Sequence, residues 1–287
     1  VTSSLAVIVI PPSHNMILYV VAAGGGISVS KLFIAGVIPG VIMCLCLAVA
    51  AYIVAVNRGY PKEAFPGYRM LVYSFAAAIP GLLTAVIIVG GVLSGILTVT
   101  ESGAFGAIYA VVITALVYRE LTWEAFRTSV LRSVRTTALV MILVGCASAF
   151  SYLLAIYRVP EQLTVLLTAI SDNPIVVLLI LNLVLLGLGM IMDMAALILI
   201  CTPIFLPVAA SLGMDPIQFG ILLMMNLGLG LCTPPVGACL FVGCVIGGIK
   251  IEQAVRTIWP FYVAILVALM LVTYVPAISL TLPALLD

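Results

Sequence analysis

Apolar side chains run along this chain in long, nearly continuous stretches, and polar ones gather in a few short connectors. A stretch such as Leu178–Leu188 lacks the apolar–polar alternation of a transmembrane barrel strand. It suits a helix surrounded by lipid. The pattern predicts apolar helices over Leu5–Ala23, Leu32–Val56, Leu71–Leu97, Ala104–Tyr118, Thr137–Ile156, Ile175–Met192 and Trp259–Leu282. Between them lie the polar loop Asn57–Arg69, the turn Thr98–Gly103, and Ser171-Asp172-Asn173-Pro174, which carries a helix-start signal. Arg119–Arg135 interleaves basic and apolar positions and reads as an amphipathic helix at the membrane surface. Shorter amphipathic pieces are expected over Glu161–Ile170 and Gly247–Ile258.

Composition excludes water as the main solvent. The 287 residues are 65% hydrophobic and 7% charged, with a mean hydropathy of +1.39. A soluble domain has roughly 45–50% and about 25%. The expected fold class is an all-α polytopic membrane protein, with room for about eight spans. A net charge of +1 gives no reason to expect a nucleic-acid partner. The seven cysteines lie in apolar stretches without a CxxC pair and read as small packing residues. Seven of the eleven Lys and Arg fall in Asn57–Arg69 and Arg119–Arg135, which places both segments on the cytoplasmic side with two crossings between them.

Two apolar segments are interrupted in the same way. Ile10-Pro11-Pro12-Ser13 is followed by Gly24-Gly25-Gly26, and Thr233-Pro234-Pro235-Val236-Gly237 by Gly247-Gly248, at an offset of 223 residues. Each is then followed by a polar connector and a span with an early proline, Pro39 or Pro260. A helix cannot run smoothly through two adjacent prolines. The freed main-chain groups cost several kcal/mol each in lipid, so such breaks belong inside protein or along a polar cavity. Interrupted segments at matching places in two halves point to a secondary transporter. The freed carbonyls are hard oxygen ligands suited to Na⁺, and half-helix N-termini suit a carboxylate. Asp193–Gly213, with Thr202-Pro203 and Pro207, suits either one span or a re-entrant hairpin of two half-helices with Thr202 and Pro203 at its tip, and the hairpin is the favoured reading. The second unit has a long run before its Pro-Pro and the first only ten residues, so the sequence reads as lacking most of a first repeat.

These motifs resemble the large membrane subunit, DctM-like, of the tripartite ATP-independent periplasmic (TRAP) transporters. The pieces that carry the resemblance are Ile10–Ser13, Ser94–Glu101, Met192-Asp193-Met194, Thr202–Pro207, Asp215–Gly220 and Asn226–Gly237, in order and properly spaced. Val99 departs from the proline usual in the family's Thr-Pro-Thr-Glu. The resemblance implies an inverted-repeat, elevator-type transporter, not an enzyme, in the bacterial inner membrane. It implies a small four-helix membrane subunit, a periplasmic solute-binding protein and a sodium gradient driving uptake of organic anions such as C4-dicarboxylates or sugar acids. No cofactor is expected beyond Na⁺ as coupling ion. The rival is a divalent-anion/sodium symporter of similar plan that needs no binding protein. On this reading residues 1–56 end a first repeat, 57–70 form a cytoplasmic loop, 71–192 hold scaffold spans and the amphipathic arm, and 193–287 are the transport part.

Candidate sodium ligands are Thr233, Pro234, Val236 and Gly237, with Gly228 and Gly230 allowing close approach, Thr202 and Pro203 at the expected tip, and the first-repeat counterparts Ser3, Ser4 and Pro11. Candidate substrate contacts are Ser13, His14, Asn226 and Asp193. Each has a plainer alternative. Asn226 suits a helix–helix hydrogen bond, Asp193 the first turn of a helix, and His14 packing near the break. Glu101, beside Thr98 and Thr100, suits the capping of the fourth span, and Arg119, Arg127, Arg132 and Arg135 suit topology charges.

Overall fold

The computed structural model describes residues 2–60, 67–171 and 173–285 and is built of helices. In chain order these are α1 (Ser4–Val9), α2 (His14–Ala22), α3 (Val29–Arg58), α4 (Tyr68–Leu93), α5 (Val99–Leu116), α6 (Trp123–Ile156) and α7 (Val159–Ile170). They continue with α8 (Pro174–Gly189), α9 (Met194–Ser211), α10 (Pro216–Leu231), α11 (Ala238–Gly247), α12 (Ile251–Tyr274) and α13 (Pro276–Ala284). Among the described residues, six helices are long and apolar enough to cross a membrane: α3, α4, α5, α6, α9 and α12.

Several helices begin where short polar side chains can take up unpaired N–H groups. Asn173 accepts from Ile175 N–H at 3.0 Å, Asp193 from Ala195 N–H at 3.0 Å and Asp215 from Ile217 N–H at 2.7 Å. Pro174 and Pro216 follow two of these caps at the first helical position, where no N–H is needed. Thr98 and Glu101 form a reciprocal capping box, so Thr98–Gly103 is the first turn of α5 rather than a loop, and the capping alternative for Glu101 holds.

The chain divides into two compact units. One holds residues 59–139: α4, α5 and the first half of α6. The Ser102 hydroxyl donates to the Ile88 carbonyl at 2.6 Å, and a methyl on Gly106 would press on Ile88, so α4 and α5 meet along small residues. Most apolar side chains of α4 point outward; only 6% of its apolar window is buried. Such a surface is stable against lipid and not against water.

The other unit holds residues 1–58 and 140–287. Its centre is α10, in which every residue from Gln218 to Gly230 is buried. A helix apolar all round is an interior helix. Around it lie α8, α9, α12, α1 and α3. Tyr19 of α2 is fully buried, lies 6.3 Å ring to ring from Phe219 and donates its hydroxyl to the Pro216 carbonyl at 2.5 Å.

The structure corrects four sequence expectations. Asp193–Gly213 is not a hairpin: α9 runs through it as one helix with Pro203 and Pro207 inside. The hairpin is α8 and α9, and its tip is Met190–Asp193. Prolines are tolerated inside an apolar helix that is packed within protein, and the buried Thr202 hydroxyl finds its own partner in the Ile198 carbonyl at 2.6 Å. The arm expected over Arg119–Arg135 and the span expected over Thr137–Ile156 are one 34-residue helix, α6. The connector Gly247–Ile258 likewise merges with the last span into α12, which carries Pro260 inside and stops at Val275, the residue before Pro276, where helical backbone is disfavoured. The loop expected over Asn57–Arg69 is shorter at both ends, with Arg58 closing α3 and Arg69 inside α4; its Lys62 lies outside the described residues.

Candidate functional site

Both Pro-Pro pairs interrupt helices as the sequence predicts. α1 ends at Val9 and α2 starts at His14; α10 ends at Leu231 and α11 starts at Ala238. The Pro11–Pro12 and Pro234–Pro235 bonds are both cis.

The second break is built against the hairpin tip. Pro234 and Pro235 have no N–H to offer the carbonyls of Gly230 and Leu231 four residues back. The end of α10 tightens instead: Cys232 N–H donates to the Leu229 carbonyl at 3.0 Å and Thr233 N–H to that of Gly230 at 2.9 Å. The Thr233 hydroxyl also donates to the Leu229 carbonyl, at 2.7 Å. Val236 N–H turns away from the helix and donates to the Met190 carbonyl at the tip, at 3.2 Å. Gly230 lets the tip come this close, because a Cβ there would lie 2.5 Å from the main chain of Gly189. Gly228 serves the crossing of α1, whose Leu5 and Ile8 lie 3.2 and 3.3 Å from where its Cβ would be.

Gly237 closes the loop at φ +40°. A Cβ there would lie 2.8 Å from the Thr233 carbonyl oxygen and 3.3 Å from that of Leu231. Two hard oxygens thus converge beside a bare Cα. The first N–H groups of α11 begin at the same place, so the positive end of a short helix and the carbonyl end of α10 share one loop.

The first break packs on α3 and on the start of α9. Gly36 of α3 fits against the Val9 carbonyl, and Gly40 leaves room for the Ile10 side chain. Asn15, in the first turn of α2, donates to the Met194 sulfur at 3.4 Å, one residue past the tip.

The candidates separate accordingly. Thr233, Pro234, Val236 and Gly237 line the second break, with Gly228 and Gly230 in the helix that leads to it. Asp193 is exposed and caps α9 at the tip. Ser13 is buried at the start of α2, and His14 is exposed there. Ser3 and Ser4 are exposed at the start of α1, and Pro11 is half-buried. Thr202 and Pro203 are corrected: they lie within α9, away from its ends, and Thr202 is fully buried.

Asn226 is fully buried, and its amide donates to the Asn182 carbonyl at 3.0 Å and side-chain oxygen at 2.7 Å. This is the helix–helix alternative. Asn182 in turn donates to the Leu178 carbonyl at 3.0 Å and to the Thr273 hydroxyl at 3.3 Å, joining α8, α10 and α12. Asn182→Leu removes one of the two acceptors of the buried Asn226 amide, leaves it the Asn182 main-chain carbonyl and is expected to cost about 1–2 kcal/mol. Asn226→Leu removes an interhelical bond and is expected to cost about 1 kcal/mol. Reversible unfolding in detergent measures both; loss of substrate binding in Asn226→Leu at unchanged stability would instead make Asn226 a cargo ligand.

Gly189, Asn182 and Tyr262 are not singled out by the sequence. Asn182 alone had a usable signal, as a polar residue inside the apolar run Leu178–Leu188.

Residues 1–278 match the family model described as the tripartite ATP-independent periplasmic transporter, DctM component. The chain is 42% identical to an uncharacterized protein, YgiK, of Salmonella typhimurium, over 97% of this chain and 63% of that one. It is 40% identical to the C4-dicarboxylate TRAP transporter large permease protein DctM of Pseudomonas aeruginosa, over 96% of this chain and 64% of the relative. It is 37% identical to the sialic acid TRAP transporter large permease protein SiaM of Vibrio cholerae, over 96% and 64%. The chain thus spans 63–64% of the length of these three curated relatives.

Proposed function

Because the chain belongs to the DctM component family of the tripartite ATP-independent periplasmic transporters, we propose that it is part of a sodium-driven permease for organic anions. The substrates are carboxylates of the C4-dicarboxylate or sugar-acid kind. They are delivered by a periplasmic solute-binding protein, and the permease works with a small four-helix membrane subunit in the bacterial inner membrane. The family is one of transporters, not of enzymes.

The observation that carries this reading is the meeting of the second break with the hairpin tip through Val236 N–H and the Met190 carbonyl. Two unwound elements in contact, with the Leu231 and Thr233 oxygens beside Gly237, form a place where a cation completes bonds that the helix cannot. Na⁺ there neutralises carbonyl charge and favours the docked tip. The positive N-terminus of α11 then receives a carboxylate. Release of the ion loosens the tip and lets the cargo leave. The matching order of helix, Pro-Pro, short helix, glycines and long helix in α1–α3 and α10–α12 supports an inverted-repeat plan.

The test is uptake of a labelled dicarboxylate or sialic acid by vesicles carrying the complete transporter. Uptake is expected under an inward sodium gradient with the cognate binding protein, and not when potassium replaces sodium. Uptake at full rate without any binding protein would favour the simpler symporter, and uptake indifferent to sodium would overturn the proposal.

A further inference from the structure

The second break carries a thiol on each rim. Cys232 is the residue at which α10 stops, and Cys239 stands in the first turn of α11. Between them the chain doubles back, because Gly237 folds against the main chain of Leu231 and Thr233. The residue after Leu231 and the second residue after Gly237 therefore come together, and their two thiols lie within hydrogen-bond reach of each other. They differ in access. Cys232 is fully buried, and its carbonyl accepts from the Tyr262 hydroxyl of α12 at 2.5 Å. Cys239 is only half-buried. Cys244, five residues further along α11, is turned instead to Leu240 and Ala254.

We propose that Cys232 and Cys239 are a redox modification site, at which oxidation forms a disulfide that clamps the end of α10 to the start of α11. The oxidant is a hydroperoxide. It passes one oxygen to the more open sulfur, that of Cys239. The O–O bond breaks, the second oxygen leaves with the thiol proton as water or an alcohol, and Cys239 becomes a sulfenic acid. The Cys232 sulfur then attacks the Cys239 sulfur. The S–S bond forms as the S–O bond breaks, and the oxygen departs as water with the Cys232 proton. Two thiols lose two electrons and two protons, and the hydroperoxide takes up both. Burial keeps the oxidant from Cys232 but does not hinder the second step, because the attacked sulfur is already its neighbour. The bridge closes the loop Thr233–Ala238, which holds the Thr233 oxygen and Gly237, and it starts one residue past the Leu231 oxygen. A covalent bond draws the rims closer than van der Waals contact allows, and these oxygens then lose the freedom to open for a cation and to release it.

The bond does not depend on the reading of this break as a sodium site, but its consequence for transport rests on that reading. The test keeps them apart. The purified complete transporter is treated with hydrogen peroxide, its remaining thiols are alkylated without reduction, and the digested chain is weighed. The peptide that contains Cys232 and Cys239 is expected to be lighter by two hydrogens and to carry no alkyl group on either residue. Dithiothreitol before alkylation is expected to restore both thiols. Cys239→Ser abolishes the lighter peptide and Cys244→Ala retains it. Alkylated Cys239 after peroxide treatment overturns the proposal. So does a bridge that persists in Cys239→Ser or disappears in Cys244→Ala, because either result assigns the bond to another pair. Sodium-driven uptake by vesicles of the same protein is expected to be lost in proportion to the fraction bridged, to return with dithiothreitol, and to survive peroxide in Cys239→Ser. A bridge that forms while uptake continues overturns the clamp. Uptake indifferent to sodium before any oxidant is added overturns the sodium reading, and the mass of the peptide still decides the bond.

Discussion

Gly230→Val is expected to separate α8 from α10 and to destabilise the unit by about 3 kcal/mol or more. Gly230 lies one residue before the end of α10, and a Cβ on it would fall 2.5, 2.6 and 2.8 Å from the carbonyl carbon, Cα and carbonyl oxygen of Gly189. These are main-chain atoms at the end of α8, so no rotamer change relieves the clash. The helix has to move, and the Val236–Met190 bond and the Asn182–Asn226 pair move with it. The reciprocal change is mild. A Cβ on Gly189 would meet its nearest neighbours, Gly230 and Leu227, at 3.3–3.4 Å. Gly189→Ala also gains helix propensity of about 1 kcal/mol, which offsets the tight fit and leaves stability near its starting value. Unfolding of both variants in detergent checks the asymmetry. Equal effects would mean that the two glycines are not in the contact described.

Gly237→Ala is expected to abolish most sodium-dependent uptake, by more than about tenfold, for a stability cost of about 1–2 kcal/mol. The residue stands at φ +40°, and the added methyl would lie against the Thr233 and Leu231 oxygens. Strain and occlusion are separable by a second glycine. Gly248, at the other end of α11, stands at φ +60° with nothing within 4 Å of its Cβ position. Gly248→Ala therefore carries the same kind of backbone strain without covering any oxygen. It is expected to cost about 1 kcal/mol and to leave the sodium response intact. Equal loss of uptake in the two variants would reduce the effect at Gly237 to strain in α11.

Which features the sequence revealed follows from how local their causes are. A pair of prolines removes two adjacent N–H groups whatever surrounds it, so both breaks were readable. The caps at Asn173, Asp193 and Asp215 and the box at Thr98 and Glu101 act within three residues, and the helix starts there follow from composition alone. The single prolines at 203 and 207 misled, because each frees only one carbonyl and an apolar surrounding leaves the helix as the best remaining way to satisfy the rest. Hence the hairpin was expected within α9, although its cap, Asp193, already marked the far side of the true tip. The Asn182–Asn226 and Tyr262–Cys232 bonds join residues 44 and 30 positions apart. No periodicity encodes such a pairing; it appears only when α8, α10 and α12 are packed together.

The most direct measurement is a density map of the complete transporter prepared in sodium and again in choline. The account predicts a helix that stops at Leu231 and restarts at Ala238 in both. In sodium alone it predicts a cation between the Leu231 and Thr233 carbonyl oxygens, beside Gly237 and against the Met190 tip. A loop at Thr233–Gly237 that is identical in the two salts, with no ion held by its carbonyls, would contradict it.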